Sequence, residues 1–257
     1  MAPRVVSSRD NPLLVRVRKL AQDGTAYRRG GQAWLEGEHL CSALRARGKA
    51  AATALIAESA WAEDAALRDL AGWAAETVIV ADRLFAVASG LESPARLGFL
   101  VDVPAAPVID PNAATIVLDR VQDAGNVGSM LRSAAALGVA QVLAIKGTAA
   151  LWSPKVLRAG MGAHFALALV EGLDEAALDA LTLPLVATSS HSGEFLRDAA
   201  LPRPCAWVFG HEGQGVAASL MARCALTVRI PQPGGEESLN VAAAAAICFY
   251  EQASRPE

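Results

Sequence analysis

From residue 115 onward the chain returns six times to a short, almost unbroken apolar run: TIVLD (115–119), QVLAI (141–145), FALAL (165–169), PLVAT (184–188), CAWVF (205–209) and LTVRI (226–230). A strand with one face in water alternates apolar and polar residues, whereas a run without alternation has to be covered on both faces. Helical patterns separate most of these runs, so this half of the chain is expected to form an α/β domain with a mostly parallel sheet. Ligands of such sheets bind beyond the C-terminal ends of the strands. The residues that follow each run are therefore the first place to look for chemistry.

The upstream half is also α/β but less regular. A helix pattern runs from Pro12 to about Gly30, and β-type runs fall at 54–57, 77–80 and 97–103 between Ala- and Leu-rich stretches. Between the halves lies VPAAPVIDPNAA (103–114), where Pro104, Pro107 and Pro111 can sustain neither a helix nor a central strand. The expected division is a domain over 1–104, a linker over 105–112 and a second domain over 113–257.

Charge divides along the chain as well. The net charge is −3, but residues 1–50 hold ten Lys/Arg against four Asp/Glu, so this segment is +6 and the remainder −9. A basic lobe on an acidic body suits contact with a phosphate backbone, where neutralised phosphates release counterions; a solvated basic helix would give the same count. The longest apolar stretch, Val241 to Tyr250, falls short of the roughly 20 residues that span a bilayer. MAPRVVSSRDNPLL offers no unbroken apolar core for a secretory signal. No membrane span and a cytoplasmic location are expected. Cys41, Cys205, Cys224 and Cys248 lie far apart with no C-x-x-C pair, and the histidines show no ligand spacing. These read as buried free thiols, with no metal.

Three polar segments sit at strand ends. LDRVQDAGNVGSMLRSAAALG (118–138) runs from a strand into an amphipathic helix, with Gly125 and Gly128 bracketing Asn126 and Arg132 following in the first turn or so. That spacing aims a guanidinium at the strand-end crevice, although an ordinary helix-surface arginine would look the same. WVFGHEGQGV (207–216) stops a buried strand at Gly210 and continues as a glycine-rich loop without the G-x-G-x-x-G spacing of a dinucleotide site. An NAD-dependent oxidoreductase is disfavoured on that ground. Glu212 would repel a dinucleotide phosphate; it either orients a cationic or hydroxyl-bearing ligand or is a turn acid facing water. IPQPGGEESLNVAAAAAICFYEQ (230–252) begins as a rigid Pro/Gly loop, with Ser238 placed as a helix N-cap; a capping role alone would account for Ser238 and for Asn240.

In order and spacing the three segments resemble the motifs of the SpoU/TrmH family of RNA 2'-O-ribose methyltransferases. The matching residues are Asn126-Val-Gly128 with Arg132, then Phe209-Gly210-His-Glu212-Gly-Gln-Gly215, then Ile230-Pro231-Gln-Pro-Gly234 and Ser238-Leu239-Asn240-Val241. SSRDNPLL (7–14) and RRGGQAWLEGEHLCSAL (28–44) are similar to the L30e-like substrate-binding domain often fused ahead of that catalytic domain. Gln232 departs from the family's usual Ile-Pro-Met.

The resemblance implies an L30e-like α/β domain followed by an α/β-knot (SPOUT) domain whose C-terminal segment threads a trefoil knot, a rare exception to the usual topology rules. It implies S-adenosylmethionine as cofactor, held largely by backbone groups at Thr188, Gly210, Ile230, Gln232 and Leu239. It implies Arg132 as the residue that handles the ribose hydroxyl, Asn126 orienting the ribose or Arg132, Glu212 positioning a loop or an arginine, and Ser238 and Asn240 shaping the pocket. RNA is the implied partner, ribosomal before transfer RNA, with Arg9, Arg28 and Arg29 on the basic lobe as contacts, and the chain is expected to be a homodimer through the catalytic domain. A non-catalytic RNA-binding protein on the same scaffold is the main rival, and every polar motif residue it would have lost is present.

Overall fold

A computed structural model describes residues 2–105, 107–234 and 238–255; Gly235, the last residue of the expected Pro/Gly loop, lies outside them. The chain forms two compact units, one of residues 1–105 with 152–165 and the other of 106–151 with 166–257. A cut at a single linker does not express this partition, because 152–165 lies between two strands of the second unit.

The first unit holds β1 (Arg4–Val6), α1 (Pro12–Gln22), α2 (Tyr27–Gly30), β2 (Gln32–Glu36), α3 (Glu38–Ala46), β3 (Thr53–Ala57), α4 (Glu58–Glu63), α5 (Ala65–Ala71), β4 (Glu76–Val80), α6 (Asp82–Ala88) and β5 (Leu97–Asp102). Its mixed five-stranded sheet runs β1-β4-β3-β5-β2, with β5 antiparallel to both neighbours. The helix expected over 12–30 is interrupted. Asn11 accepts a hydrogen bond from Leu13 N and Pro12 occupies the first turn, so α1 starts where expected. Asp23 then ends it: its carboxylate takes hydrogen bonds from the backbone and hydroxyl of Thr25, closing a turn that separates α1 from α2. The strand β2 had no place in the sequence reading; its Ala33–Leu35 centre is buried, and its Glu36 accepts hydrogen bonds from Trp34 Nε1, Ser89 Oγ and Gly90 N.

The second unit holds β6 (Thr115–Asp119), α7 (Ala124–Ala136), β7 (Gln141–Ile145), β8 (Ala168–Leu173), β9 (Leu185–Thr188), β10 (Glu194–Phe195), β11 (Ala206–Gly210), α9 (Ala218–Met221), β12 (Leu226–Arg229) and α10 (Val241–Ser254), while α8 (Pro154–Gly160) groups with the first unit. Seven strands run β10-β12-β9-β11-β6-β7-β8 and every neighbouring pair is parallel, as the apolar runs require. Five of the six runs lie within a residue of their strands. The sixth is displaced: 163–166 form a 3-10 turn and β8 begins at Ala168. As an edge strand β8 is covered less completely, so Glu171 and Gly172 fit where a central strand would have required apolar residues.

The alanine-rich α10 has little shape of its own to lock it in place, so its few large side chains matter. Phe249 is buried and meets Phe209 edge-on at 5.6 Å, and Phe209 stacks on Trp207 at 6.2 Å. Trp207 Nε1 donates to Gln252 Oε1 on the same helix. Replacing Phe249 with Ala is expected to lower unfolding free energy by about 3–5 kcal/mol, read by denaturant titration; a loss under about 1 kcal/mol would mean α10 is held by other contacts.

Candidate active site

The site begins where β6 runs out of apolar residues. Asp119 is 1% exposed and its carboxylate is fully used: Arg120 donates from Nε at 2.8 Å and Nη2 at 3.1 Å, and the backbone N of Ala217 donates at 2.7 Å. Arg120 sits at φ +59°, a left-handed conformation that a non-glycine residue holds only when its surroundings over-determine it. They do so here, since its N donates to Thr148 Oγ1 and its Nη1 to Gln214 Oε1, both at 3.1 Å. The pair fastens the glycine-rich loop after β11 to the end of β6.

At the start of that loop, Gly210 is a steric requirement. A Cβ on Gly210 would lie 2.1 Å from Gly215 C and from Val216 N, because the returning chain crosses directly over it. His211 and Gly215 exchange backbone hydrogen bonds at 3.1 and 2.8 Å, and His211 Nδ1 accepts from Gly213 N at 2.9 Å. The loop is thus a closed hairpin that presents Glu212 towards the next segment.

Glu212 joins the first two motifs. One carboxylate oxygen accepts from Asp123 N and Asn126 Nδ2, each at 3.0 Å, and the other from Gln122 N at 3.1 Å. Burial pushes the Glu212 carboxyl up, but the hydrogen bonds from Asn126, Gln122 and Asp123 outweigh it and hold the group at about 2. Asn126 then joins the third motif: its Oδ1 accepts from Asn240 Nδ2 at 2.9 Å. Asn240 Oδ1 in turn accepts from Ala242 N and Ala243 N and so caps α10. The expected cap at Ser238 is thereby moved two residues on, because a cap must lie one residue ahead of the first helical residue, Val241, and Ser238 is exposed further upstream.

Beside this chain opens a cleft of about 250 Å³. Thr188, Gly210, Ile230, Gln232 and Leu239 all line it, as do Ser238, Asn240 and Glu212. Thr188 is held by donating from Oγ1 to Val208 O at 3.3 Å. Gln232 Oε1 is buried with no hydrogen-bond partner among the described residues. Cys248 closes the floor, and burial first, then the neighbouring Cys205 and Glu251, push its thiol far up, leaving it neutral and a poor nucleophile.

Arg132 lies elsewhere. The helix α7 starts at Ala124, so Arg132 falls in its third turn and not its first; it is exposed, is not part of the cleft wall, and makes no hydrogen bond or ion pair among the described residues. Arg9, Arg28 and Arg29 belong to the first unit: Arg9 and Arg29 are exposed and pair with Asp10 at 3.6 Å and Asp23 at 3.2 Å, and Arg28 donates to the Tyr27 hydroxyl at 3.3 Å. Sequence reasoning missed Asp119, Arg120 and Asp123. An acid closing an otherwise apolar run, TIVLD, was the available signal for Asp119. Asp123 caps α7 by accepting from Asn126 N at 2.8 Å.

Residues 113–250 match the family model described as the SpoU rRNA Methylase family. The chain belongs to the SpoU family. A Synechocystis protein named as an uncharacterized tRNA/rRNA methyltransferase is 32% identical over 96% of this chain and 92% of its own length. The Bacillus subtilis 23S rRNA (guanosine(2553)-2'-O)-methyltransferase RlmP is 31% identical over 67% of this chain and 70% of its own. Among solved structures, the SpoU methyltransferase AviRb from Streptomyces viridochromogenes in complex with AdoMet superposes with a TM-score of 0.80 at 26% identity, covering 95% of this chain and 98% of that one.

The depressed Glu212 carboxyl sets a pH dependence. Its stabilisation is complete above its ordinary value of 4.5 and is lost as pH falls through about 2. The difference in unfolding free energy between the wild type and Glu212→Gln is expected to be constant near neutrality and to shrink from pH 4.5 down to about 2. Denaturant titrations at stepped pH measure it, and a difference that does not change across that window would contradict the assignment.

Proposed function

We propose that this SpoU-family protein transfers a methyl group from S-adenosylmethionine to a ribose 2'-hydroxyl of structured RNA, with ribosomal RNA as substrate ahead of transfer RNA. The observation that carries the reading is the hydrogen-bonded series Glu212–Asn126–Asn240, which joins one polar residue from each of three motifs, with Glu212 and Asn240 lining one cleft. The name of the RlmP relative supports ribose methylation and the ribosomal preference, and that of the Synechocystis relative supports RNA methylation of either class.

The cleft fits the cofactor. Gln232 Oε1 is a buried acceptor still to be satisfied, of the kind an exocyclic amine satisfies, and the close crossing at Gly210 leaves backbone rather than side chain at the wall. Thr188, Gly210, Ile230, Gln232 and Leu239 would hold it, in a trefoil knot made by their loops. When bound, S-adenosylmethionine supplies a methyl group on a positively charged sulfonium.

The protein's own task is to make a ribose oxygen nucleophilic and to aim it. Asn126 and Asn240 orient the ribose from the cleft rim, and Glu212, tied to three donors, keeps Asn126 in place. Arg132 stabilises the charge that develops on the 2'-oxygen. A guanidinium with pKa above about 12 is a poor proton acceptor, so the proton passes to water or to an RNA phosphate oxygen. Because Arg132 lies outside its own cleft, it acts in the cleft of a second copy. Exposed Leu239, Ile247 and Tyr250 provide apolar surface at and along α10 for such a homodimer. The basic first unit, through Arg9, Arg28 and Arg29, binds the RNA backbone. A cytoplasmic location goes with this reading; among the described residues no helix is long and apolar enough to cross a membrane.

Incubation with tritiated S-adenosylmethionine and RNA from cells lacking the gene is expected to label a nucleotide that resists alkaline cleavage, in the ribosomal fraction; binding of RNA without label would favour the non-catalytic reading, and label in transfer RNA would change the substrate. Arg132→Ala is expected to lower methyl transfer by at least about 100-fold while calorimetry shows unchanged S-adenosylhomocysteine binding. Wild-type turnover in that variant, or a monomer in light scattering, would remove the shared-site mechanism.

A further inference from the structure

A second group of side chains adjoins the cofactor cleft and is not used by the mechanism above. The two-residue edge strand β10 pairs with β12 so that Phe195 stands opposite Arg229. Partners at the same register of a parallel pair face the same side of the sheet, and the Arg229 guanidinium lies 4.2 Å from the centre of the Phe195 ring. Arg197 approaches the same ring at 5.7 Å. In front of them is an open pocket of about 560 Å³, and Ser190, Ile230 and Gln232 line both this pocket and the cofactor cleft, so the two spaces are contiguous.

What distinguishes Arg229 is how little of its donor capacity is used. Arg255, nearby in the fold, is consumed structurally: it donates to the carbonyls of Leu196 and Ala199 and pairs with Glu251. Arg229 makes no ion pair among the described residues, and its Nε is buried without a partner. Stacking on Phe195 fixes the plane of the guanidinium without occupying its N–H groups. Arg197 is paired with Asp198 at 3.3 Å, but both are largely exposed, so a stronger anion can displace that contact. Glu194, the acid on β10 itself, is exposed.

We infer that Arg229 and Arg197, seated on Phe195, form an oxyanion-binding subsite joined to the cofactor cleft. A planar fork with free donors recognises a phosphate or a carboxylate. The proposed reaction brings one of each to this place, the backbone phosphate of the RNA beside the target ribose and the amino-acid carboxylate of the cofactor. The inference rests on that reaction for the identity of its ligands.

The test compares the wild type with Arg229→Gln and, since its side chain is exposed and safe to change, Arg197→Gln. Calorimetry is run with S-adenosylhomocysteine and with 5'-methylthioadenosine, which lacks the carboxylate, and RNA binding is measured across salt concentrations with ribosomal and transfer RNA from cells lacking the gene. A phosphate ligand predicts about tenfold weaker RNA binding and a salt slope reduced by about 0.7–0.9, with S-adenosylhomocysteine unaffected. A carboxylate ligand predicts about tenfold weaker S-adenosylhomocysteine binding, with 5'-methylthioadenosine unaffected. Wild-type affinities for RNA and S-adenosylhomocysteine in a folded Arg229→Gln, or in Arg197→Gln should the first not fold, overturn the subsite. A wild-type protein that methylates RNA while the variants match it loses only the subsite; a wild-type protein that binds neither ligand loses the methyltransferase reading as well.

Discussion

Glu212 leaves the sheet on a loop after β11, while Gln122, Asp123 and Asn126 follow β6, and hydrogen bonds to its carboxylate join the two segments. Its carboxylate takes donors from all three, which holds its pKa at about 2 despite the cost of partial burial. A neutral side chain there would accept fewer and weaker bonds. Asn126, so positioned, reaches Asn240 and thereby the start of the last helix. This one anion ties together the loop after β11, the segment after β6 and, through Asn126, the start of α10.

Behind it stands a second layer with a different physical basis. Asp119 is buried and would be costly if unpaired; Arg120 and the Ala217 amide satisfy it, and the left-handed backbone of Arg120 is the strain accepted for that arrangement. Gly210 contributes by lacking a side chain, which lets the returning strand of the loop pass within contact distance. Charge pairing, strain and close approach together fix the path of this loop beside the cleft.

Among the described residues, the cleft is walled by polar and apolar groups but by no Lys or Arg. Arg132 points to solvent from the third turn of α7, and Arg229 faces the neighbouring pocket. In the proposed reaction, negative charge develops on a ribose oxygen, and this division is why that proposal calls on a cation from outside the cleft.

Much of this was legible in the residues. Continuous apolar runs dictated a parallel sheet, because a strand covered on both faces tolerates no polar alternation, and the glycines, Glu212, Asn126 and Asn240 stood out as polar or flexible residues where such strands end. Edge strands were the weak point: β8 was displaced and β1, β2 and β10 were missed, β1 and β10 because they are short and largely exposed, and β2 because the polar Gln32 and Glu36 flank a buried centre of only three apolar residues. The break at Asp23 was hidden because one side-chain turn overrides an otherwise good helix pattern. Only the tertiary structure could decide that Asn240 and not Ser238 caps α10, that Asp119 and Arg120 belong to the site, and that Arg132 stands apart from it. The contacts of Asp119 with Ala217 and of Arg120 with Gln214 join residues far apart in the chain. The first residue of each helix, which sets the cap of α10 and the turn on which Arg132 falls, is fixed by the folded backbone. Spacing along a sequence contains neither.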